Sequence, residues 1–398
     1  MKPSRKKKIQ KTEFSAKPTS HINKTLLWIF IALVIFGTLM VFDASVYKAN
    51  ETFHDSFYFL KQHVLWVGIG TCCAIVAYFF NLKLLSKLSG FILIGTILAL
   101  LLLLIIGRDV NGAARWFAIG AMRIQPAEIA KLAIIVYLSS ILSKEKLKSQ
   151  DLKTQKSNFI KKIIIFGVII IIVLGLIIAE PDMGTAIIIG ISSFLLFYLS
   201  GEDRIHMIGS WIVAGVMGFI GTIAALIESY RLDRIQSYFH LLFKGEVADP
   251  TGKDYQIQQI LIGIGSSGFF GKGFGQSRQR FGYLVENTAF TDSIFAVILE
   301  ELGFAVALIL VGLFITILWQ GIKISMSVED KFSKLLAAGI TIWICSQAFL
   351  NMGANVGLIP FTGVPLPFLT YGGSSTIVTL TAVGLLLNIS RYAKRDIK

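Results

Sequence analysis

The sequence predicts an all-α integral membrane protein with ten transmembrane helices, N- and C-termini cytoplasmic, and a long extracytoplasmic loop between spans seven and eight. Three observations predict it. Charge is too sparse to cover a water-facing surface: 16% of the 398 residues are charged and 54% hydrophobic, with mean hydropathy +0.70, where a soluble chain carries about 25% charged residues. Ten apolar stretches approach the roughly 20 residues that a helix needs to cross hydrocarbon. Lys and Arg are unequally shared between the two sides: 25 of the 38 fall on the side holding both termini and 12 on the other, with Lys131 inside a span. The positive-inside bias makes the richer side cytoplasmic.

The elements follow in order. A basic tail, 1–24, anchors span one at 25–45. This apolar run is too long for a signal-peptide core, and no small-residue cleavage site follows it. Spans two to four are expected at 64–82, 86–106 and 127–143, with the external loop 107–126 between the third and fourth. A Lys-rich cytoplasmic loop leads to span five at 161–179 and span six at 183–200. Pro181 and Asp182 leave almost no room between these two, which predicts a helical hairpin. Span seven is placed at 206–227, and the segment 228–290 follows outside. A structureless loop of that length is uncommon, and Tyr255–Phe270 within it reads as an amphipathic or re-entrant helix at the interface. Spans eight to ten are expected at 291–319, 332–352 and 374–390, around a Pro/Gly-rich external loop 353–373. One membrane domain, 25–390, thus lies between the tail 1–24 and a cytoplasmic tail 391–398.

With topology assigned, the net charge of +14 reads as orientation signal and attraction to membrane lipid. No nucleic-acid partner is expected, because the basic residues form no single footprint. Cys72, Cys73 and Cys345 all sit in apolar runs, which excludes a disulfide framework. His21, His54, His63, His206 and His240 show no ligand spacing, so no Cys/His metal site is expected. HExxH, GxSxG and Walker signatures are absent, which removes the common hydrolytic and ATP-driven machinery.

Ionisable groups at membrane depth are expensive and are functional candidates by default. Glu128 and Lys131 are three apart, share a helix face and can neutralise each other; alternatively Lys131 reaches an anionic ligand. Glu300 and Glu301 read as structural pairing partners. Thr291 is expected to cap span eight and so leave Asp292 in its first turn, where the helix dipole favours a carboxylate. At an external mouth Asp292 can serve as a general base or simply complement the dipole. Arg115 stands beside Trp116 just outside span three. The stretch Gly268-Phe-Phe-Gly-Lys-Gly-Phe-Gly275, with Lys272 and then Arg278 and Arg280, can form either an anion nest or a flexible re-entrant turn. Together with Arg231 and Arg234 it suits a diphosphate-bearing ligand.

Seven stretches, in order along nearly the whole chain beyond the N-terminal tail, resemble the SEDS family (shape, elongation, division and sporulation). They are Asn-Gly-Ala-Ala-Arg-Trp (111–116), Gln-Pro-Ala-Glu-Ile-Ala-Lys (125–131), Glu-Pro-Asp-Met-Gly-Thr-Ala (180–186), Tyr-Arg-Leu-Asp-Arg (230–234), Tyr-Gln-Ile-Gln-Gln (255–259), Thr-Asp-Ser-Ile-Phe-Ala-Val-Ile-Leu-Glu-Glu-Leu-Gly-Phe (291–304), and the run from Gly357 to Ser375. The family's essential aspartate falls on Asp292. Departures are Ala127 where serine is usual, Val285 for proline, Phe290 for histidine, and two extra residues between Glu286 and Asp292. Glu286 is carried over as a substrate-side acid whose role this insertion leaves open.

The resemblance implies a bacterial peptidoglycan glycosyltransferase that polymerises Lipid II at the outer face of the cytoplasmic membrane. Residues 40–45, 57–62 and 110–113 look more like the division branch than the elongation branch, which implies septal work among divisome proteins. A class B penicillin-binding protein is the implied partner. Such chemistry needs one base for the attacking sugar hydroxyl and cations for the departing diphosphate, not the carboxylate pair of glycosidases. Asp292 with Arg115, Lys131, Arg231, Arg234 and Lys272 supplies that set. A divalent cation (Mg or Mn) on the diphosphate fits the same chemistry, though no ligands for it can be read. The rival class is a Lipid II flippase, which would carry charge through the whole membrane depth rather than near one mouth.

Overall fold

The computed structural model describes residues 22–107, 115–119, 122–144, 152–201, 207–215, 253–278 and 288–394, with isolated positions from 218 to 243. Among the described residues the regular structure is helical apart from one short hairpin. Helices α1 (Lys24–Phe53), α2 (Tyr58–Phe79) and α3 (Leu82–Ile106) precede strands β1 (Phe117–Ile119) and β2 (Met122–Ile124). Then come α4 (Pro126–Ser143), α5 (Leu152–Ala179), α6 (Met183–Leu199), α7 (Lys253–Gly265), α8 (Ile294–Ser327), α9 (Lys331–Asn355) and α10 (Gly373–Ser390).

Among the described residues, α1, α2, α3, α4, α8, α9 and α10 are long and apolar enough to cross a membrane, and Ile163–Ala179 and α6 are shorter apolar helices. Nine of the expected spans overlie these helices. The other, 206–227, lies largely outside the described residues, although 207–215 is helical. Local chemistry sets the ends. Asn23 and Asn81 accept backbone N–H bonds at the starts of α1 and α3, Asp182 does so for α6 and Asp330 for α9. Pro126 opens α4, where its missing N–H costs nothing. The loop 107–126 contains an antiparallel β1–β2 pair in the register Phe117–Ile124 and Ile119–Met122, which no apolar-run count would reveal.

Burial separates the helices into two groups. Of their apolar stretches, 72% of α4, 78% of α9 and 72% of α10 is buried within the protein, against 33%, 22%, 28% and 28% for α1, α2, α3 and α8. The first three form the centre, and the others turn apolar faces outward, as lipid permits. Small residues allow close approach: a Cβ on Gly384 of α10 would lie 2.2 Å from the Ala74 carbonyl of α2.

Two expectations need correction. Thr291 is not the cap of span eight, and Asp292 is not in its first turn. The chain turns at 288–293, where the N–H groups of Thr291 and Ser293 both bond the Thr288 carbonyl (3.1 and 2.9 Å), and α8 begins only at Ile294. Moreover, α8 is not continuous. Gly303 (φ 78°, ψ −178°) severs an outer half-helix, 294–302, from the rest. A helix is present within the stretch Tyr255–Phe270, as α7 followed by turns, and those turns enter this break. Lys272 and Gly273 N–H bond the carbonyls of Glu300 and Glu301 (3.0 and 2.9 Å), while Phe304 and Ala305 N–H bond those of Gly268 and Phe269 (3.3 and 3.1 Å). Irregular backbone inside a membrane domain must be paired within the protein, and here it is.

Candidate active site at one mouth of the bundle

Asp292 is half-buried at the head of the outer half-helix, and α9 fixes it from below. Asn351 and Asn355 each donate through Nδ2 to its carbonyl (2.8 and 3.0 Å), and Asn351 also donates to the Val364 carbonyl (2.6 Å). Gln347 donates to the Pro365 carbonyl at 2.9 Å. Gln347, Asn351 and Asn355 are spaced by four, so they form one polar stripe on α9 that ties the reacting segment to the loop 357–372. That loop passes close over the aspartate. A Cβ on Gly363 (φ 68°) would lie 3.5 Å from Asp292 Oδ2. Tyr371 N–H bonds the Phe290 carbonyl at 2.9 Å, closing the loop onto the turn before α8.

The α5–α6 turn forms another wall. Arg115 donates from Nε to the Glu180 carbonyl (3.1 Å) and from Nη2 to the Pro181 carbonyl (2.5 Å). Gln125 Nε2 donates to Asp182 Oδ2 at 3.1 Å, while Asp182 Oδ1 accepts from Thr185 N–H at 3.0 Å. Gly184 allows this turn to touch the loop, since a Cβ there would sit 2.5 Å from Val364 Cγ2 and 3.0 Å from the Thr362 carbonyl. The Gln125 N–H bonds Ser374 Oγ at 2.9 Å, linking β2 to the start of α10. Burial, with Asp182 adding to it against the pull of Arg115, pushes the Glu180 carboxyl up to about 8, so it is neutral at pH 7. Phe59, Phe290 and Tyr371 pack ring on ring, and the Tyr371 hydroxyl donates to Gln62. Burial pushes that phenol up to about 12.

The structure thus brings Asp292, Arg115 and the 180–184 turn round the loop 357–372, but it places two expected cations elsewhere. Lys131 is sealed in the core, with its Nζ donating to Glu128 Oε1 (2.9 Å) and Gln347 Oε1 (2.9 Å) beside Trp343. Its role in this geometry is to hold Gln347, the residue that bonds the loop. Lys272 Nζ lies 2.5 Å from Glu300 Oε1, and Glu301 accepts the N–H groups of Gly275 and Ser277 (3.1 and 3.0 Å). The glycine-rich stretch therefore spends its donors on α8, and the anion-nest expectation is corrected to a re-entrant plug. Arg231, Arg234 and Glu286 lie outside the described residues, as does 111–114. Among the described residues no three His, Cys, Asp or Glu side chains gather as a metal site. Charged groups alone do not point to the α9 stripe, although three amides four apart in an apolar span are its visible signal.

The class of protein these features define is a helical membrane protein whose polar groups converge on one carboxylate, Asp292, beneath the loop 357–372 at one mouth of the bundle. The chain belongs to the FtsW, RodA and SpoVE family, whose model, described as cell cycle protein, matches residues 24–395. It is similar to stage V sporulation protein E of Bacillus subtilis strain 168, 36% identical over 390 residues, with 94% of this chain and 99% of the relative covered. It is also similar to a probable peptidoglycan glycosyltransferase FtsW of Trichlorobacter lovleyi, 36% identical over 371 residues, with 93% of each covered. In fold it resembles a chain of a peptidoglycan synthase complex solved for the coordination of polymerization and crosslinking: TM-score 0.72, 24% identity, 94% of this chain and 98% of that one covered.

Proposed function

We propose that this protein is a peptidoglycan glycosyltransferase that joins Lipid II units into glycan strands, with Asp292 as the general base. The observation that carries the reading is the anchoring of Asp292: its backbone is held by two amides of α9 while its carboxylate lies under Gly363 at the mouth. The acceptor sugar hydroxyl gives its proton to the Asp292 carboxylate as its oxygen attacks the donor's anomeric carbon. The anomeric C–O bond to the diphosphate breaks, and undecaprenyl diphosphate leaves as an anion. A diphosphate is a weak base, so it needs cations rather than a second acid. Arg115 is a described cation at this mouth, and Arg231 and Arg234 are the further candidates from the segment 228–290. Glu286 stays a candidate on the substrate side. A base on the face opposite the leaving group makes the reaction inverting, and a divalent cation, if used, arrives with the diphosphate.

The site's location suits the substrate, whose sugar is in water while its polyprenyl tail lies between helices. In this reading the mouth faces outward from the cytoplasmic membrane, both termini are cytoplasmic, and the chain works at the septum. Its partner is a class B penicillin-binding protein among the divisome proteins. Likeness to FtsW favours the division branch over an elongation polymerase.

The test is polymerisation of Lipid II by the purified protein with its transpeptidase. Polymer in that reaction is expected. Its absence, with Lipid II crossing vesicles that contain the protein, would replace the polymerase with a flippase.

A further inference from the structure

The groups gathered at the break in α8 lie away from the mouth, and the chemistry above does not use them. Lys272 comes from the re-entrant segment and Glu300 from the outer half-helix, 28 residues apart in sequence, with Nζ–Oε1 at 2.5 Å. Ser277 Oγ donates to the other Glu300 oxygen at 2.7 Å. The Glu301 carboxylate takes the two backbone N–H groups of Gly275 and Ser277 and also meets Asp43 of α1. Glu300 and Glu301 are fully buried, while the lysine side chain is 25% exposed. Gly271 and Gly303 meet back to back: a Cβ on Gly271 would fall 2.2 Å from the Glu301 carbonyl, and one on Gly303 2.3 Å from the Gly271 nitrogen.

These contacts matter because of what the half-helix carries. Residues 294–302 run straight down from Asp292, and Gly303 uncouples them from the long inner part of α8. A helix severed from its continuation takes its height and rotation from whatever grips its two ends. Asn351 and Asn355 grip the top. At the bottom, the re-entrant segment grips it through two backbone bonds, from Lys272 and Gly273 to the Glu300 and Glu301 carbonyls, and through the side-chain contacts of Glu300 and Glu301 with Lys272, Gly275 and Ser277, while Gly268 and Phe269 hold the other side of the break through Phe304 and Ala305.

We propose that Lys272, Ser277 and Glu300 form a positioning latch that sets the outer half-helix and thereby the Asp292 carboxylate, so that Lys272 acts through Asp292 and does not touch the substrate. This inference rests on the reading of Asp292 as the base. Reaction geometry is steep in distance, and a misplacement of about 1 Å can cost about 100-fold in rate.

The experiment compares kcat and KM for Lipid II polymerisation by wild type, Lys272→Met, Lys272→Arg, Ser277→Ala and Asp292→Asn, each checked for a single monodisperse peak and a melting transition in detergent. Lys272→Met is expected to lose about 100-fold in kcat with KM within about twofold. Lys272→Arg regains most of the rate, because a guanidinium can still bridge Glu300. Ser277→Ala falls in between, and it keeps the test alive if Lys272→Met fails to fold, since it leaves the ion pair in place. A raised KM with unchanged kcat in the lysine variants would overturn the latch and make Lys272 a substrate contact. Unchanged kinetics in all three latch variants would overturn it equally. An active Asp292→Asn would instead sink the base assignment on which the latch rests, and the two failures are therefore told apart.

Discussion

Among the described residues, two Lys–Glu pairs of this membrane domain hold a buried glutamate, and they are built to opposite plans. Glu128 and Lys131 are one helical turn apart on α4, with side chains 3% and 0% exposed, and share Gln347 as a further partner. Lys272 and Glu300 join different elements, and the lysine is part-exposed. The first pair costs little chain entropy to form but leaves no route to water when broken. The second orders a whole segment and stays in reach of solvent. An internal pair on one helix serves the core, whereas a pair across a break governs where a severed half-helix sits.

The sharpest way to break the comparison is to remove each lysine. Lys131→Met strands the Glu128 carboxylate in a sealed site and is expected to cost about 3–5 kcal/mol, read as a lowered melting temperature in detergent. Adding Glu128→Leu should restore most of it, because an apolar pair of similar volume needs no compensation. Lys272→Met is expected to cost less, about 1–3 kcal/mol, since the buried Glu300 keeps Ser277 as a donor and the lysine side of the pair opens to solvent. Equal losses for both would erase the distinction.

Next in size is the α9 stripe. Asn351→Ala removes a donor from the Asp292 and Val364 carbonyls together and is expected to cost about 1–3 kcal/mol, with a fall in polymerisation rate. Asn351→Asp keeps the size and removes the donor, and it should do no better. A variant that is as active and stable as wild type would show that the stripe does not hold the mouth.

A further effect, visible only on titration, concerns Glu180. Its carboxyl is held up to about 8 in the fold from an ordinary 4.5, so the folded state binds the proton more tightly than the unfolded one. Its contribution to stability is present in full below about pH 4.5 and is lost as pH rises towards 8, at up to about 1.4 kcal/mol per pH unit within that window. Glu180→Gln should flatten the decline in melting temperature between pH 5 and 8, while changing little at pH 5. A decline as steep as that of wild type would place the titration elsewhere.

Much of the fold was legible from apolar runs alone, because a span of about 20 residues has few alternatives in hydrocarbon. The Pro181–Asp182 hairpin, the re-entrant helix and the Glu128–Lys131 pair could be read for the same reason: each is local in sequence. What escaped was long-range. Nothing near Gly303 announces that a loop 30 residues earlier will fill its break, and a glycine within an apolar helix ordinarily means close packing. Lys272 looked like an anion ligand because its neighbours are glycines, but Glu300 reaches it first. Thr291 looked like a cap because threonine often is one, yet the Thr288 carbonyl closes a turn that delays the helix to Ile294. The Asn351–Asn355 stripe was visible as spacing but gained meaning only once Asp292 was seen above it.

The central claim is that Asp292 removes the proton from the attacking hydroxyl, and its most direct test is Asp292→Asn in the Lipid II polymerisation reaction with the transpeptidase partner present. The amide keeps the size and the backbone contacts to α9 but cannot take a proton. The account predicts unchanged melting and unchanged Lipid II binding, with polymerisation reduced at least about 100-fold. Polymer at the wild-type rate from this variant would contradict it.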